Sequence, residues 1–80
     1  MVTQQEAEAL AKKHLQEYLN ECKLDTTTDA GNALMKLMSV AGVIMVATVG
    51  YEDAVQRMYG TTKFIENKMS SVKFNQQTLN

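Results

Sequence analysis

The sequence predicts an all-α protein in which an N-terminal amphipathic helix precedes a hairpin of two further helices. Apolar residues recur every three or four positions along most of the chain, and no proline interrupts them. Hydrophobic residues make up 45% and charged residues 21% of the 80 residues, which is the range of ordinary globular proteins. We therefore expect one helical domain over residues 1–80.

The first helix is expected over about residues 4–23. Thr3 with Glu6 three positions later has the pattern of a capping box. Apolar residues then recur at helical spacing and give the helix one apolar face. The members of that face are Ala7, Leu10, Ala11, Leu15, Tyr18, Leu19 and Cys22.

Three chemically active side chains on this helix are spaced by four residues: His14, Tyr18 and Cys22. A zinc site would need at least three protein ligands, and the chain has no other histidine or cysteine. His14 and Cys22 are two helical turns apart, too far for a nucleophile and its base. The spacing therefore predicts packing against the rest of the domain, with His14 half-buried and the thiol buried.

The second and third helices are expected over about residues 28–49 and 51–72. Thr26 with Asp29, or Thr27 or Thr28 alone, is expected to cap the second, and Asp29 in its first turn suits the helix dipole. Apolar positions alternate by four and three throughout, which is typical of helices packed lengthwise. These positions are Ala30, Leu34, Leu37, Ala41, Ile44, Thr48, Tyr51, Val55, Met58, Thr62, Ile65, Met69 and Val72.

The two glycines of this region have different predicted roles. The alternation passes Gly60 without losing phase, so Gly60 is expected inside a helix. Gly50 is expected to end one, since Glu52 and Asp53 suit the first turn of a new helix. The alternative is a single helix over residues 28–72, which would be longer than about 60 Å. That is long for a chain of 80 residues, so the break at Gly50 is favoured. Residues 43–49 have the composition of a strand, but no second strand-like segment exists to pair with them.

The last eight residues, 73–80, are mostly polar and are predicted to be a flexible tail.

The segment from Leu37 to Tyr51 carries no charge, and apolar residues occur on every side of a helix built from it. Two neighbouring helices cover about two faces, so a third face needs a partner. We expect self-association into a homo-oligomer. The predicted interface consists of Leu37, Val40, Ala41, Val43, Ile44, Val46, Ala47, Met58 and Ile65.

These features predict a non-enzymatic protein that acts by protein–protein binding. The sequence contains none of the motifs GxxxxGK[ST], HExxH, CxxC or GxGxxG, so no catalytic residue, cofactor or metal is predicted. A net charge of −1 gives no reason to expect nucleic acid. A single cysteine and no signal-like N-terminus favour the cytoplasm.

Two alternatives remain open. In the first, the chain is a stoichiometric inhibitor or adaptor, of the kind that phages and mobile elements encode, which occupies a host protein or holds a small ligand between subunits. In the second, it is a small membrane-associated protein. The second is less favoured, because the uncharged stretch has fifteen residues where a membrane span needs about 20.

Overall fold

The computed structural model describes residues 1–72, which form three α-helices and no strand. Helix α1 spans Gln4–Cys22, α2 spans Thr27–Val49 and α3 spans Tyr51–Lys68. The described chain divides into two compact units, Met1–Leu34 and Met35–Val72. The all-α prediction is confirmed, and each helix begins within one residue of its predicted start.

The first unit begins with the predicted capping box. The Glu6 N–H donates to Thr3 Oγ1 at 3.1 Å, and the Thr3 N–H donates to the Glu6 carboxylate at 3.1 Å. The bond from the Thr3 backbone, and then that with its side chain, lowers the pKa of Glu6. Helix α1 ends at Lys23, whose left-handed backbone (φ 54°) lets its N–H donate to the Asn20 carbonyl.

A side-chain hydrogen bond joins α1 to the first turns of α2 within this unit. The Tyr18 hydroxyl donates to the Ala33 carbonyl oxygen at 2.7 Å. Leu15, Leu19 and Ala30 are half-buried in the same unit, so its apolar contacts follow the predicted face of α1.

The start of α2 is capped by Thr26 with Asp29, one of the arrangements that the sequence predicts. The Asp29 N–H donates to Thr26 Oγ1 at 3.1 Å, and the Asp29 carboxylate accepts from the Asp25 N–H at 3.3 Å. A carboxylate in the first turn also interacts favourably with the helix dipole.

In the second unit, Gly50 breaks the chain into a hairpin. Its backbone has φ 95° and ψ 160°, a conformation that is almost exclusive to glycine. Its N–H still donates to the Val46 carbonyl at 3.1 Å, and its carbonyl accepts from the Ala54 N–H at 3.0 Å. Helix α3 then runs through Gly60 without interruption. The predictions for both glycines are confirmed.

Helix α3 ends at Lys68, four residues before the predicted end at residue 72. The Met69 N–H makes a last helical bond to the Ile65 carbonyl. Ser70 and Ser71 follow, and serine side chains compete for backbone hydrogen bonds and so disfavour a helix interior. The predicted flexible tail, residues 73–80, lies outside the described residues.

The packing of α2 on α3 departs from the predicted alternation. Gly42 and Ala54 are the two buried residues among residues 1–72, and neither belongs to the predicted series. Ile44, which does belong to it, is 57% exposed. Small side chains let two helix backbones approach closely, so the hairpin closes on Gly42 and Ala54 and leaves Ile44 outside.

Candidate binding surface

An apolar groove of about 280 Å³ lies between α2 and α3 and is open to solvent, since Met38 is 61% and Ile65 52% exposed. Met38 and Met45 line it from α2, and Met58 and Ile65 line it from α3. The sulfur of Met58 lies where a β-carbon at Gly42 would come within 3.0 Å of it. Methionine side chains are flexible and fill irregular gaps, so the groove is an adaptable contact between the two helices.

A second apolar surface lies on the outside of α2, and we call it the α2 stripe. It consists of Leu37, Val40, Ile44 and Ala47, which share one side of the helix by their spacing of three, four and three. At about 100° per residue, each is rotated roughly 140–160° from Gly42 around the helix axis. Val40 is 52% and Ile44 57% exposed, Ala47 is exposed and Leu37 is half-buried. The stripe is therefore largely uncovered by its own chain.

The other five predicted interface residues lie elsewhere in the second unit. Val43 flanks the stripe and is 70% exposed, and Val46 lies nearer the side of Gly42. Ala41, Met58 and Ile65 line the groove between α2 and α3, where Ala41 and Ile65 remain exposed. The nine residues therefore do not all lie on one surface.

Helix α3 also exposes aromatic side chains that the predicted interface did not include. Tyr51 and Tyr59 are each 70% exposed and Phe64 is 54% exposed. Tyr51, Val55 and Tyr59 follow one another at intervals of four, so they share a side of α3. That spacing is visible in the sequence and marks an apolar side of α3 besides the one that meets α2.

The three spaced side chains of α1 do not form a site. Tyr18 is half-buried, whereas the His14 side chain is 65% exposed and Cys22 is exposed. The predicted burial of the histidine and the thiol is therefore wrong, because the packed face of α1 is formed by Leu15, Tyr18 and Leu19. Partial burial, and then the neighbouring Cys22 thiol, raises the pKa of the Tyr18 phenol.

Charged side chains in the described residues form short-range pairs on the helix surfaces. Arg57 Nε lies 2.8 Å from Asp53 Oδ1, and Lys63 Nζ lies 3.4 Å from Glu66 Oε1. Exposed pairs of this kind contribute only about 0–1 kcal/mol. Among residues 1–72, no group of three or more histidine, cysteine, aspartate or glutamate side chains is placed to hold a metal ion.

Helix α2 is long and apolar enough to cross a membrane by length and composition. Over its best 18-residue window the mean hydropathy is 1.7, and 6% of that window is buried. An apolar core helix of a soluble protein is mostly buried, whereas α2 is mostly exposed. It is the one helix with this property in the described part of the chain.

Comparison of the chain with protein-family models, with curated proteins and with solved structures gave no match.

Proposed function

We propose that this chain is a non-enzymatic binding protein that works as a homo-oligomer assembled through the exposed surface of α2. The observation that carries the proposal is the near absence of a core. Only Gly42 and Ala54 are buried among residues 1–72, and no large side chain there is fully buried.

So little burial is insufficient for a stable isolated subunit. Each fully buried aliphatic side chain contributes about 1.5–3 kcal/mol, and a domain needs many such contributions to offset the entropy lost on folding. Val40, Val43 and Ile44 instead expose at least half of their surfaces. Contiguous exposed apolar residues mark an interface, and a partner that covers them would supply the missing burial.

The arrangement of the uncovered residues favours another helix as the partner. The α2 stripe has the spacing of three and four residues with which helices pack lengthwise. A second copy presents the same stripe at the same concentration, so self-association requires no further molecule. An inhibitor or adaptor role would use the same stripe on a different protein.

The polar groups support binding and not catalysis. Four charged side chains of α3, Asp53 with Arg57 and Lys63 with Glu66, pair with neighbours one turn away and are about half exposed or more. No catalytic residue is therefore proposed, and none of the exposed charges is assigned a chemical role.

A membrane-associated protein is the second candidate, favoured by the length and hydropathy of α2. Against it stands the packing of α3, which lies along the middle of α2 at Gly42 and Met58. Arg57 belongs to this part of α3, since it lines the groove together with Gly42, and charged side chains near the middle of a bilayer are costly. We therefore rank a membrane-associated protein as the second candidate.

The deciding experiment is the molar mass in solution, measured by light scattering after size-exclusion chromatography at micromolar concentration. We expect a multiple of the 8.9 kDa subunit. A folded monomer of 8.9 kDa would refute the proposal, and protein recovered only with membranes or detergent would favour the second candidate.

Variants locate the surface. Ile44→Asp places a charge in the stripe and is expected to abolish assembly, with loss of helicity as the burial is lost. Ile44→Ala, a milder change, is expected to raise the dissociation constant by at least about tenfold. Gln56→Asp adds the same charge at an exposed position of α3 and serves as the control. Unchanged assembly of both Ile44 variants would show that the stripe is not the interface.

A further inference from the structure

The thioether of Met58 lies at the contact between α2 and α3, and it is also within reach of solvent. A β-carbon at Gly42 would come within 3.0 Å of Met58 Sδ and 3.8 Å of the terminal methyl carbon. Gly42 is buried at this contact, whereas Met58 is only half-buried. The sulfur therefore belongs to the packing of α3 on α2 without being sealed inside a core.

Two recesses border the Met58 side chain. One is the open groove between α2 and α3, which Met38 and Met45 also line. The other is a recess of about 170 Å³ on α3, which Val55 and Tyr59 also line. Both recesses admit molecules of the size of water, and hydrogen peroxide is little larger. A small oxidant therefore has access to this thioether.

We propose that Met58 is an oxidant-sensitive modification site, and that oxidation of its thioether to the sulfoxide by hydrogen peroxide separates α3 from α2 at Gly42. The sulfur lone pair attacks one peroxide oxygen, the O–O bond breaks, and the other oxygen leaves as water with both protons. The sulfur is oxidised by two electrons and the peroxide is reduced. Methionine sulfoxide reductases reverse the change with a dithiol as reductant.

The new oxygen has neither space nor a hydrogen-bond donor on the α2 side of the contact. A sulfoxide is polar, whereas the thioether that it replaces is apolar. The approach to Gly42 is already close, and its N–H lies in the middle of α2, where the helix uses it. Burying the oxygen there without a donor is unfavourable.

The donors that border the groove all belong to α3. They are the guanidinium of Arg57 and the hydroxyls of Thr61 and Thr62. A sulfoxide oxygen that turns to these groups or to water takes the Met58 side chain away from Gly42. Oxidation therefore removes the contact that joins the two helices at this level.

The other methionines provide an internal comparison. Met35 is 62%, Met38 61% and Met69 42% exposed, so peroxide should oxidise them at least as fast as Met58. Among residues 1–72, no methionine besides Met58 lies within 4 Å of a β-carbon at Gly42. Oxidation of the exposed methionines should therefore leave the contact unchanged.

Graded oxidation with hydrogen peroxide tests the proposal. Peptide mass spectrometry assigns the oxidised methionines, and chemical denaturation at a fixed protein concentration measures stability. We expect oxidation to raise the unfolding equilibrium constant at least about tenfold in the original protein, but less than about threefold in Met58→Leu. Leucine has nearly the volume of methionine and is not oxidised by peroxide.

Two further variants are matched controls. Met35→Leu removes an exposed thioether outside the groove, and Met45→Leu removes a half-buried one that lines it. Both should lose as much stability on oxidation as the original protein. A loss of the effect in Met45→Leu alone would assign the sensitivity to Met45 and overturn the proposal for Met58.

A measurement on the original protein decides the question even if Met58→Leu does not fold. Amide exchange is followed by mass spectrometry during oxidation and after treatment with methionine sulfoxide reductases. Protection of the amides around Gly42 and Met58 should fall in step with oxidation of Met58, after Met35 and Met38 have reacted, and should return on reduction.

Three results would overturn the proposal. Met58→Leu would lose as much stability on oxidation as the original protein, Met58 would be fully oxidised without loss of protection, or Met58 would stay unoxidised after Met35 and Met38 are converted. The contact lies within one subunit, on the side of α2 away from the α2 stripe. A monomer in solution would therefore refute the proposed function and leave this inference standing.

Discussion

The sulfur of Met58 occupies the space that a side chain at Gly42 would need. A β-carbon at position 42 would lie 3.0 Å from Met58 Sδ, at the limit of what real contacts show. Gly42 is buried at this contact between α2 and α3. The hairpin is thus closed by the absence of a side chain on one helix and by a flexible one on the other.

Gly42→Val is expected to destabilise the protein by about 1–3 kcal/mol, because the added branches force Met58 and α3 outward. Chemical denaturation followed by circular dichroism measures the change. Gly60→Ala is the matched control, since a β-carbon at Gly60 meets nothing within 4 Å. That substitution should stabilise α3 by about 0.5–1 kcal/mol through helix propensity. Equal effects of the two would contradict the close contact at Gly42.

Gly50→Ala is expected to destabilise the hairpin by about 1–3 kcal/mol. The backbone there has φ 95°, a conformation that a β-carbon strains even though the surrounding space is open. Gly31→Ala, within α2 and equally open, is the control and should be neutral or stabilising. Thermal unfolding of the two variants compares them directly, and a stable Gly50→Ala protein would indicate that the break does not depend on glycine.

Tyr18 should make the stability of the protein sensitive to alkaline pH. Its pKa is raised above the ordinary value of 10.0, so the folded state keeps the phenolic proton to higher pH than the unfolded chain does. The contribution of the protonated Tyr18 phenol to the stability of the folded protein is complete below about pH 10, and it is lost as the pH rises through the folded-state pKa.

Tyr18→Phe tests this dependence. The variant loses the hydrogen bond to the Ala33 carbonyl and should be less stable at neutral pH. The difference between the ultraviolet titration curves of the original protein and the variant should show a phenol that ionises at a higher pH than an ordinary tyrosine. Identical alkaline unfolding curves for the two proteins would exclude a role for Tyr18.

Thr3→Ala is expected to reduce stability by about 1 kcal/mol, since it leaves the Glu6 N–H without its capping oxygen. The pKa of Glu6 is lowered, so the reciprocal bond to the Thr3 N–H stabilises the fold above the unfolded-state pKa and is lost as the pH falls through the folded-state value. The Glu6→Gln variant should therefore show a weaker acid dependence. Amide exchange in the first turn of α1, measured by NMR at several pH values, reports both effects.

Local chemistry made most of the fold predictable. Thr3 and Glu6 form a capping box at the start of α1, and the Thr26 side chain caps α2 by accepting from the Asp29 N–H. Gly50 could be identified as a break because two acidic residues follow it, whereas Gly60 lies within an unbroken periodic pattern. Such features depend on residues within one or two turns, so the sequence contains the whole of their physical cause.

The candidate surface was predictable only in part. The excess apolar area of α2 is visible in its composition, and Val40 and Ile44 are exposed as an interface requires. Ala41, Met58 and Ile65 line the groove between α2 and α3, where Ala41 and Ile65 are also exposed. An alternation of three and four residues fits more than one side of a helix that is apolar almost all round.

By itself, the sequence determined three helices, their caps and the glycine that separates the last two, since each follows from interactions between near neighbours. Only the tertiary structure decided which side of α2 meets α3. A helix with polar residues on one side is oriented by them, but α2 has few. Its orientation is set by the close approach possible at Gly42 and Ala54, and that choice leaves the α2 stripe uncovered.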